Sequence, residues 1–167
     1  LHTGAIPLGG KSITTDIAYG LETSLEQAEK IKCKYGLAKS SLANDQEKIT
    51  IIGTNSRKDK EISQKKLAKI IEARMQEIFH LCKNEISKSE YKGNFTFGIV
   101  LTGGGSQLNN ITDLAQEIFE MNIKIGIPDS VNGSTKLINN PRYSTSIGII
   151  KYAIENKDTL QGSIDNN

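Results

Sequence analysis

The stretch GIVLTGGGSQLNNITDLAQEIF, residues 98–119, constrains this chain more than any other. Ile99, Val100 and Leu101 form a short apolar run, the signature of a buried strand. Gly103, Gly104 and Gly105 follow almost at once, and without a Cβ they let the backbone turn sharply and come close to a bound group. Leu108, Ile111, Leu114, Ala115, Ile118 and Phe119 then recur at helical spacing. The pattern predicts a strand that ends in glycines and opens into a helix, where bare N–H groups and the helix dipole favour a nucleotide. Two familiar phosphate loops are excluded. No Lys follows the glycines as GxxxxGK[ST] requires, and Leu108 stands where GxGxxG needs a third glycine. A tight turn without a ligand is the competing reading of the triplet taken alone.

The rest of the chain supplies the other layers. Residues 1–8 read as the second strand of a hairpin, ended by Gly9 and Gly10. Ser12 or Thr14 is a candidate cap for a short helix around residues 15–19. Thr23 or Ser24, with Glu26 and Gln27 behind them, announces a second helix that runs to Tyr35 and stops at Gly36. Residues 48–52 are strand-like, with β-branched Ile49, Thr50, Ile51 and Ile52, and residues 61–63 are placed to pair back. Ser63 caps a long helix over 64–87, whose apolar stripe is Leu67, Ile70, Ile71, Met75, Ile78, Phe79, Cys82 and Ile86. A polar connection covers 87–94. A strand at 123–127, a loop at 128–136, a break at Pro141 and a helix over 143–153 complete the order, and the polar tail 156–167 reads as disordered. Strands alternating with helices call for an α/β layered fold, in which residues 37–96 form an inserted α+β block.

Bulk properties exclude more than they assign. A net charge of +2 gives no global reason to expect nucleic acid. His2 and His80 stand alone, so no metal-ligand cluster is visible. Cys33 and Cys82 lie far apart in helical patterns and read as reduced thiols of a cytosolic protein. No run approaches the roughly 18 apolar residues of a membrane span.

Read together, several segments are similar to one family in order. Residues 9–23 carry Gly-Gly followed by ITTDIAYGLET; residues 28–36 read AEKIKCKYG. GIVLTGGG and KIGIPDSVNG follow, then NNPRYSTSIGIIKYA. This set resembles the actin-like ATPase superfamily and, within it, the FtsA family of bacterial cell-division proteins. It covers most of residues 5–153. The resemblance implies an actin-like (ribonuclease H-like) subdomain 2A, made of residues 1–36 and 97–155, with subdomain 2B inserted at 37–96 and a linker at 156–167. Chains of this superfamily hold Mg²⁺ and phosphates on Asp-Gly hairpin loops. No such hairpin occurs here, and the expectation is that it lies N-terminal to Leu1.

Site residues follow from the same resemblance. Glu29 and Lys32 lie three apart on one helix face, where a surface ion pair is the plain reading. In the superfamily the matching pair reaches the ribose and adenine edge of ATP. Gly103, Gly104, Gly105 and Ser106 match its adenosine motif, and Gly10 matches a glycine that approaches from the other side. None of these is a nucleophile or general base, so this is a nucleotide-contacting half-site, with no catalytic residue assigned.

The inserted block implies a protein partner. Between Arg57 and Lys92 there are ten Lys/Arg against six Asp/Glu, mostly a solvated basic face. Arg74, inside IIEARMQEIF, is expected half-buried at the rim of a groove beside Ile and Met. By resemblance this block binds the C-terminal tail of FtsZ, with Arg74 as the foremost contact and Lys66, Lys69 and Glu77 beside it. Arg74 also matches a position linked to self-association, so both uses stay open. The loop at 128–136 and the turn 140–143 are candidate filament contacts, a plain loop being the alternative. Family members reach the cytoplasmic face of the inner membrane, at the division site, through a C-terminal amphipathic helix not found in this sequence. The implied function is an adaptor that recruits FtsZ and carries the adenosine side of an ATP site. The rival is a nucleotide-driven ATPase of the chaperone or plasmid-segregation type.

Overall fold

The computed structural model describes residues 2–53, 58–89, 97–128 and 139–157. Outside them fall most of the candidate filament loop at 128–136, the tail from residue 158, residues 54–57 and most of the connection before Phe97. Packing divides the chain into two compact units: Leu1–Ile99 with Leu108–Lys124, and Val100–Gln107 with Ile125–Asn167.

The first unit holds the core. Helix α1 (Gly10–Gly20) packs against both α2 (Leu25–Tyr35) and α3 (Gln64–Ser87). Ile13 and Ile17 on its inner face, with Leu21 four residues further on at the C-cap, are buried. α1 is twice the length predicted. It starts at Gly10 because Ser12 accepts a hydrogen bond from the Gly9 N–H, and the Thr15 hydroxyl donates back to the Lys11 carbonyl. The other caps follow the sequence more closely. Ser24 accepts from the Gln27 N–H at 3.2 Å and Ser63 from the Lys66 N–H at 3.3 Å. Gly36 does end α2, but not in the left-handed conformation expected of a C-cap glycine (φ −68°). It is needed for space, since a Cβ there would lie 2.3 Å from the Lys32 carbonyl oxygen.

Strands β1 (Lys48–Ile51) and β2 (Lys60–Ser63) pair antiparallel, with Ile49 opposite Ile62. Ile49, Ile51 and Ile62 form the buried face of this hairpin. The stripe of α3 predicted from periodicity is buried at Leu67, Ile71, Met75, Ile78 and Phe79. Helix α4 (Ile111–Phe119) lies against it, where Phe79 and Phe119 meet edge-on at 5.5 Å. Lys83 closes the far end of α4 by donating to the Ile118 carbonyl at 2.7 Å.

Residues 2–8 form no strand: no ladder partner for them exists among the described residues, and a lone strand has no hydrogen bonds to hold it. Strands β3 (Ile99–Leu101) and β4 (Ile123–Ile125) make a second two-stranded sheet. β4 stops two residues short of the predicted strand.

The second unit is thinly cored. Ser106 and Pro141 are its buried residues among those described. Its helix α5 (Ser144–Glu155) buries none of its side chains, although Ile149, Ile150, Tyr152 and Ile154 are large and apolar.

Candidate functional site

In the first unit the predicted nucleotide residues Gly10, Glu29 and Lys32 come together at one point. α1 begins at Gly10 and presents that carbonyl beside the face of α2 that carries Glu29 and Lys32. The Lys32 ammonium donates to the Gly10 carbonyl at 2.9 Å, the Thr14 hydroxyl at 2.8 Å and Glu29 Oε2 at 2.7 Å. Three acceptors match three N–H donors, so the group is saturated within the fold. Thr14 also donates to Glu29 Oε2 and lies 3.1 Å from the Gly10 carbonyl. The Cys33 thiol reaches the other oxygen, Oε1, at 3.4 Å. Burial is graded: Thr14 is 5 % exposed, the Lys32 side chain 14 % and the Glu29 side chain 50 %. The pair is therefore more than a loose surface contact, because its cation is sunk between two helices.

Partial burial pushes the Glu29 carboxyl up. The hydrogen bonds from Lys32 and Thr14 and the Lys32 charge outweigh that, holding it below its ordinary 4.5. Since the folded value is the lower one, the stabilisation from these contacts is complete above about pH 4.5 and fades as pH falls through the folded value. An NMR titration of the Glu29 carboxyl should accordingly show a depressed midpoint that climbs back toward 4.5 in Lys32→Met. An unchanged midpoint in that variant would break the assignment.

Arg74 projects from α3 toward α1. It grips Asp16 through two parallel hydrogen bonds, Nη2 to Oδ1 at 2.9 Å and Nε to Oδ2, and its Nη1 donates to Glu77. Its side chain is 25 % exposed, close to the half-buried position expected. Three of its five N–H donors are taken inside the chain, so an incoming carboxylate would compete with a bidentate pair. Lys66, Lys69 and Glu77 are exposed on α3, with Glu77 beside Arg74 at i,i+3 spacing. The apolar neighbours expected beside them are not on that surface: Met75, Ile71 and Ile78 point into the core, because the helix has one apolar stripe and the hairpin and helices cover it.

The glycine triplet belongs to the second unit. Gly103 has φ +84°, a conformation that suits glycine, and its N–H donates to the Pro141 carbonyl at 3.0 Å. Residues Gly104–Gln107 form a 3₁₀ turn, and the buried Ser106 hydroxyl donates to the Gly103 carbonyl at 2.8 Å. The turn does not open directly into the α-helix predicted. Asn110, with φ +58°, precedes α4, so the helical N–H groups begin only at Ile111. Packing within the fold gives no reason for glycine at 104 and 105. A Cβ at Gly105 meets nothing within 4 Å, and one at Gly104 meets Arg142 Cγ at 3.9 Å. In the candidate turn at 140–143, Asn140 accepts from the Arg142 N–H at 2.9 Å and starts the 3₁₀ turn Pro141–Tyr143.

The sequence carries no local signal for Thr14 and Asp16 as site residues. Both sit inside the ITTDIA segment, but their partners are 15 to 58 positions away. Spacing along one helix could not reveal them. Among the described residues no group of three His, Cys, Asp or Glu is placed to hold a metal ion.

Comparison with known proteins fits this geometry to one family. Solved structures with the same fold include MreB5 of Spiroplasma citri bound to AMPPNP (TM-score 0.68) and bound to ADP (TM-score 0.67). Their identities are 18 % and 19 %, and the alignments cover 96 % and 97 % of this chain against 47 % and 48 % of theirs. The fold is thus an actin-like α/β fragment. At the level of sequence, Cell division protein FtsA of Pseudomonas aeruginosa is 40 % identical over 92 % of this chain. The Neisseria meningitidis protein of the same name is 39 % identical over 98 %, and that of Bacillus subtilis 36 % over 92 %. The chain spans 37 %, 39 % and 34 % of the length of these relatives. The family model "Cell division protein FtsA" matches residues 1–148, a range that takes in α1 with its Gly-Gly start, the Glu29–Lys32 pair, all of α3 and the glycine turn, and so the chain belongs to the FtsA family.

Proposed function

We propose that this chain is the part of an FtsA-type adaptor that receives the C-terminal tail of FtsZ on the exposed side of α3 and contributes the adenosine side of an ATP site. The reading keeps the subdomain assignment expected from sequence, with residues 37–96 as the partner-binding insertion. The observation that carries it is the division of α3 into a buried apolar stripe and an exposed polar one bearing Lys66, Lys69 and Glu77. A helix whose outer face is exposed and cationic at its start suits the acidic residues of a short segment. Arg74, tied to Asp16, is better placed to hold α3 against α1 than to orient a peptide. The orienting charges are then Lys66 and Lys69.

For the nucleotide, the chemistry on hand fits an adenosine. Within the second unit, Gly104 and Gly105 leave room for close backbone approach; within the first, taken by itself, Glu29 offers an acceptor for sugar hydroxyls. Mg²⁺ and phosphates belong, in this reading, to residues outside these 167. ATP bound there would supply a phosphate chemistry to which the described residues add only positioning. Self-association into filaments and attachment to the membrane face at the division site, through an amphipathic helix elsewhere in the protein, complete the proposal.

The test is a fluorescence-anisotropy titration of a labelled FtsZ tail peptide with the full-length protein. Saturable binding is expected. Charge reversal of both Lys66 and Lys69 to Glu should weaken it about tenfold, two exposed ion contacts of roughly 0.5–1 kcal/mol each being lost. Arg74→Ala should weaken it less. Absence of binding by a folded wild-type protein, or a double reversal without effect, would reject the α3 surface.

A further inference from the structure

We infer that Thr14 is a positioning residue for a sugar-hydroxyl contact made by Glu29. This rests on the nucleotide reading proposed above. Two facts lead to it. First, the Lys32 ammonium has no donor left, its three N–H groups being directed at the Gly10 carbonyl, Thr14 Oγ1 and Glu29 Oε2. Lys32 therefore acts as a strut that joins the start of α1 to α2, and a ligand would have to displace one of these bonds to reach it. Second, Thr14 from α1 and Lys32 from the next turn of α2 converge on one carboxylate oxygen of Glu29. Oε2 accepts from Lys32 and from Thr14, while Oε1 accepts from the Cys33 thiol, a weak donor, at 3.4 Å.

Thr14 itself is 5 % exposed and cannot present its hydroxyl to a ligand. What it can do is hold the carboxylate in one orientation. The side chain of Glu29 is half exposed and has three rotatable bonds, so without a second tether its outer oxygen would sample several positions. With Oε2 pinned by Thr14 and Lys32, Oε1 becomes the atom offered outward. An ionised oxygen held in place suits a donor, and the donors of a nucleoside sugar are its 2′- and 3′-hydroxyls. A serine at position 14 keeps the tether; a valine keeps the shape and removes it.

The test compares ATP with 2′,3′-dideoxy-ATP on the full-length protein, by isothermal titration, for wild type, Thr14→Val and Thr14→Ser. Wild type should prefer ATP over the dideoxy nucleotide. Thr14→Val should weaken ATP about fivefold and leave the dideoxy nucleotide within twofold of wild type, so that the preference narrows. Thr14→Ser should restore it. Circular dichroism checks that the variants fold, and Thr14→Ala stands in should valine disturb α1. Equal weakening of both nucleotides in the folded variants would mean a merely structural threonine and would overturn the inference, as would unchanged ATP affinity. A wild type that binds both nucleotides equally would leave the nucleotide reading standing and sink this one. A wild type that binds neither would remove both.

Discussion

Gly98→Ala is expected to destabilise the protein by about 3 kcal/mol, although residue 98 lies outside both candidate sites. Two separate conflicts add up there. Gly98 has φ +76°, which costs an L-residue about 1–2 kcal/mol. A Cβ would also stand 2.1 Å from the Asn122 carbonyl oxygen, well inside contact distance. That same oxygen accepts the Ile99 N–H at 2.8 Å, the bond that starts the pairing of β3 with β4. The new methyl group cannot be relieved by a side-chain rotation, because the obstacle is backbone; the strands must separate. Gly103→Ala is the internal comparison. It has the same left-handed strain, with φ +84°, but its Cβ meets nothing within 4 Å, so about 1 kcal/mol is expected. Urea denaturation of the two variants measures the difference. Equal midpoints would show that the close approach at Asn122 does not exist in solution.

Ile17→Ala should cost about 2–4 kcal/mol and reach the candidate site as well as the core. Ile17 is fully buried at the centre of α1, the helix packed against both α2 and α3. Truncation leaves a cavity between three helices, and rigid packing on either side prevents full collapse. The better helix propensity of alanine returns only a few tenths of a kcal/mol. Two residues along, Tyr19 is 89 % exposed, and Tyr19→Ala should stay within about 0.5 kcal/mol. α1 also carries Gly10, Thr14 and Asp16, which hold Lys32, Glu29 and Arg74. Amide hydrogen exchange along α1 should therefore quicken in Ile17→Ala, and the depressed titration of Glu29 should relax upward. If thermal denaturation finds Ile17→Ala as silent as Tyr19→Ala, the placement of α1 is wrong.

Much was legible along the chain because its signals are local. The apolar stripe of α3, the caps at Ser24 and Ser63 and the pairing of two β-branched runs each depend on residues a few positions apart, and each stands in the structure as expected. Ordered motifs were enough to point to the FtsA family, since order along the chain survives divergence better than any one motif. Where local rules competed, they misled. Gly10, Ile13 and Thr14 are poor helix formers, and the weight of their propensity hides the first turns of α1. Packing of Ile13 and Ile17 into the core overrides it. Gly36 ends α2 as its sequence predicts, but its neighbours and not its φ demand glycine.

The tertiary structure alone decided which charges meet. Arg74 finds Asp16 across 58 positions, and Lys32 finds Gly10 across 22. Arg74, a candidate peptide contact, is held by Asp16, and Lys32, a candidate ligand contact, is held by Gly10 and Thr14. Periodicity says which face of a helix is buried; it does not say which helix will lie against it. Long-range contacts depend on how four amphipathic helices and a hairpin share one core, and that choice is made by summed packing over the whole unit and not by any single residue type.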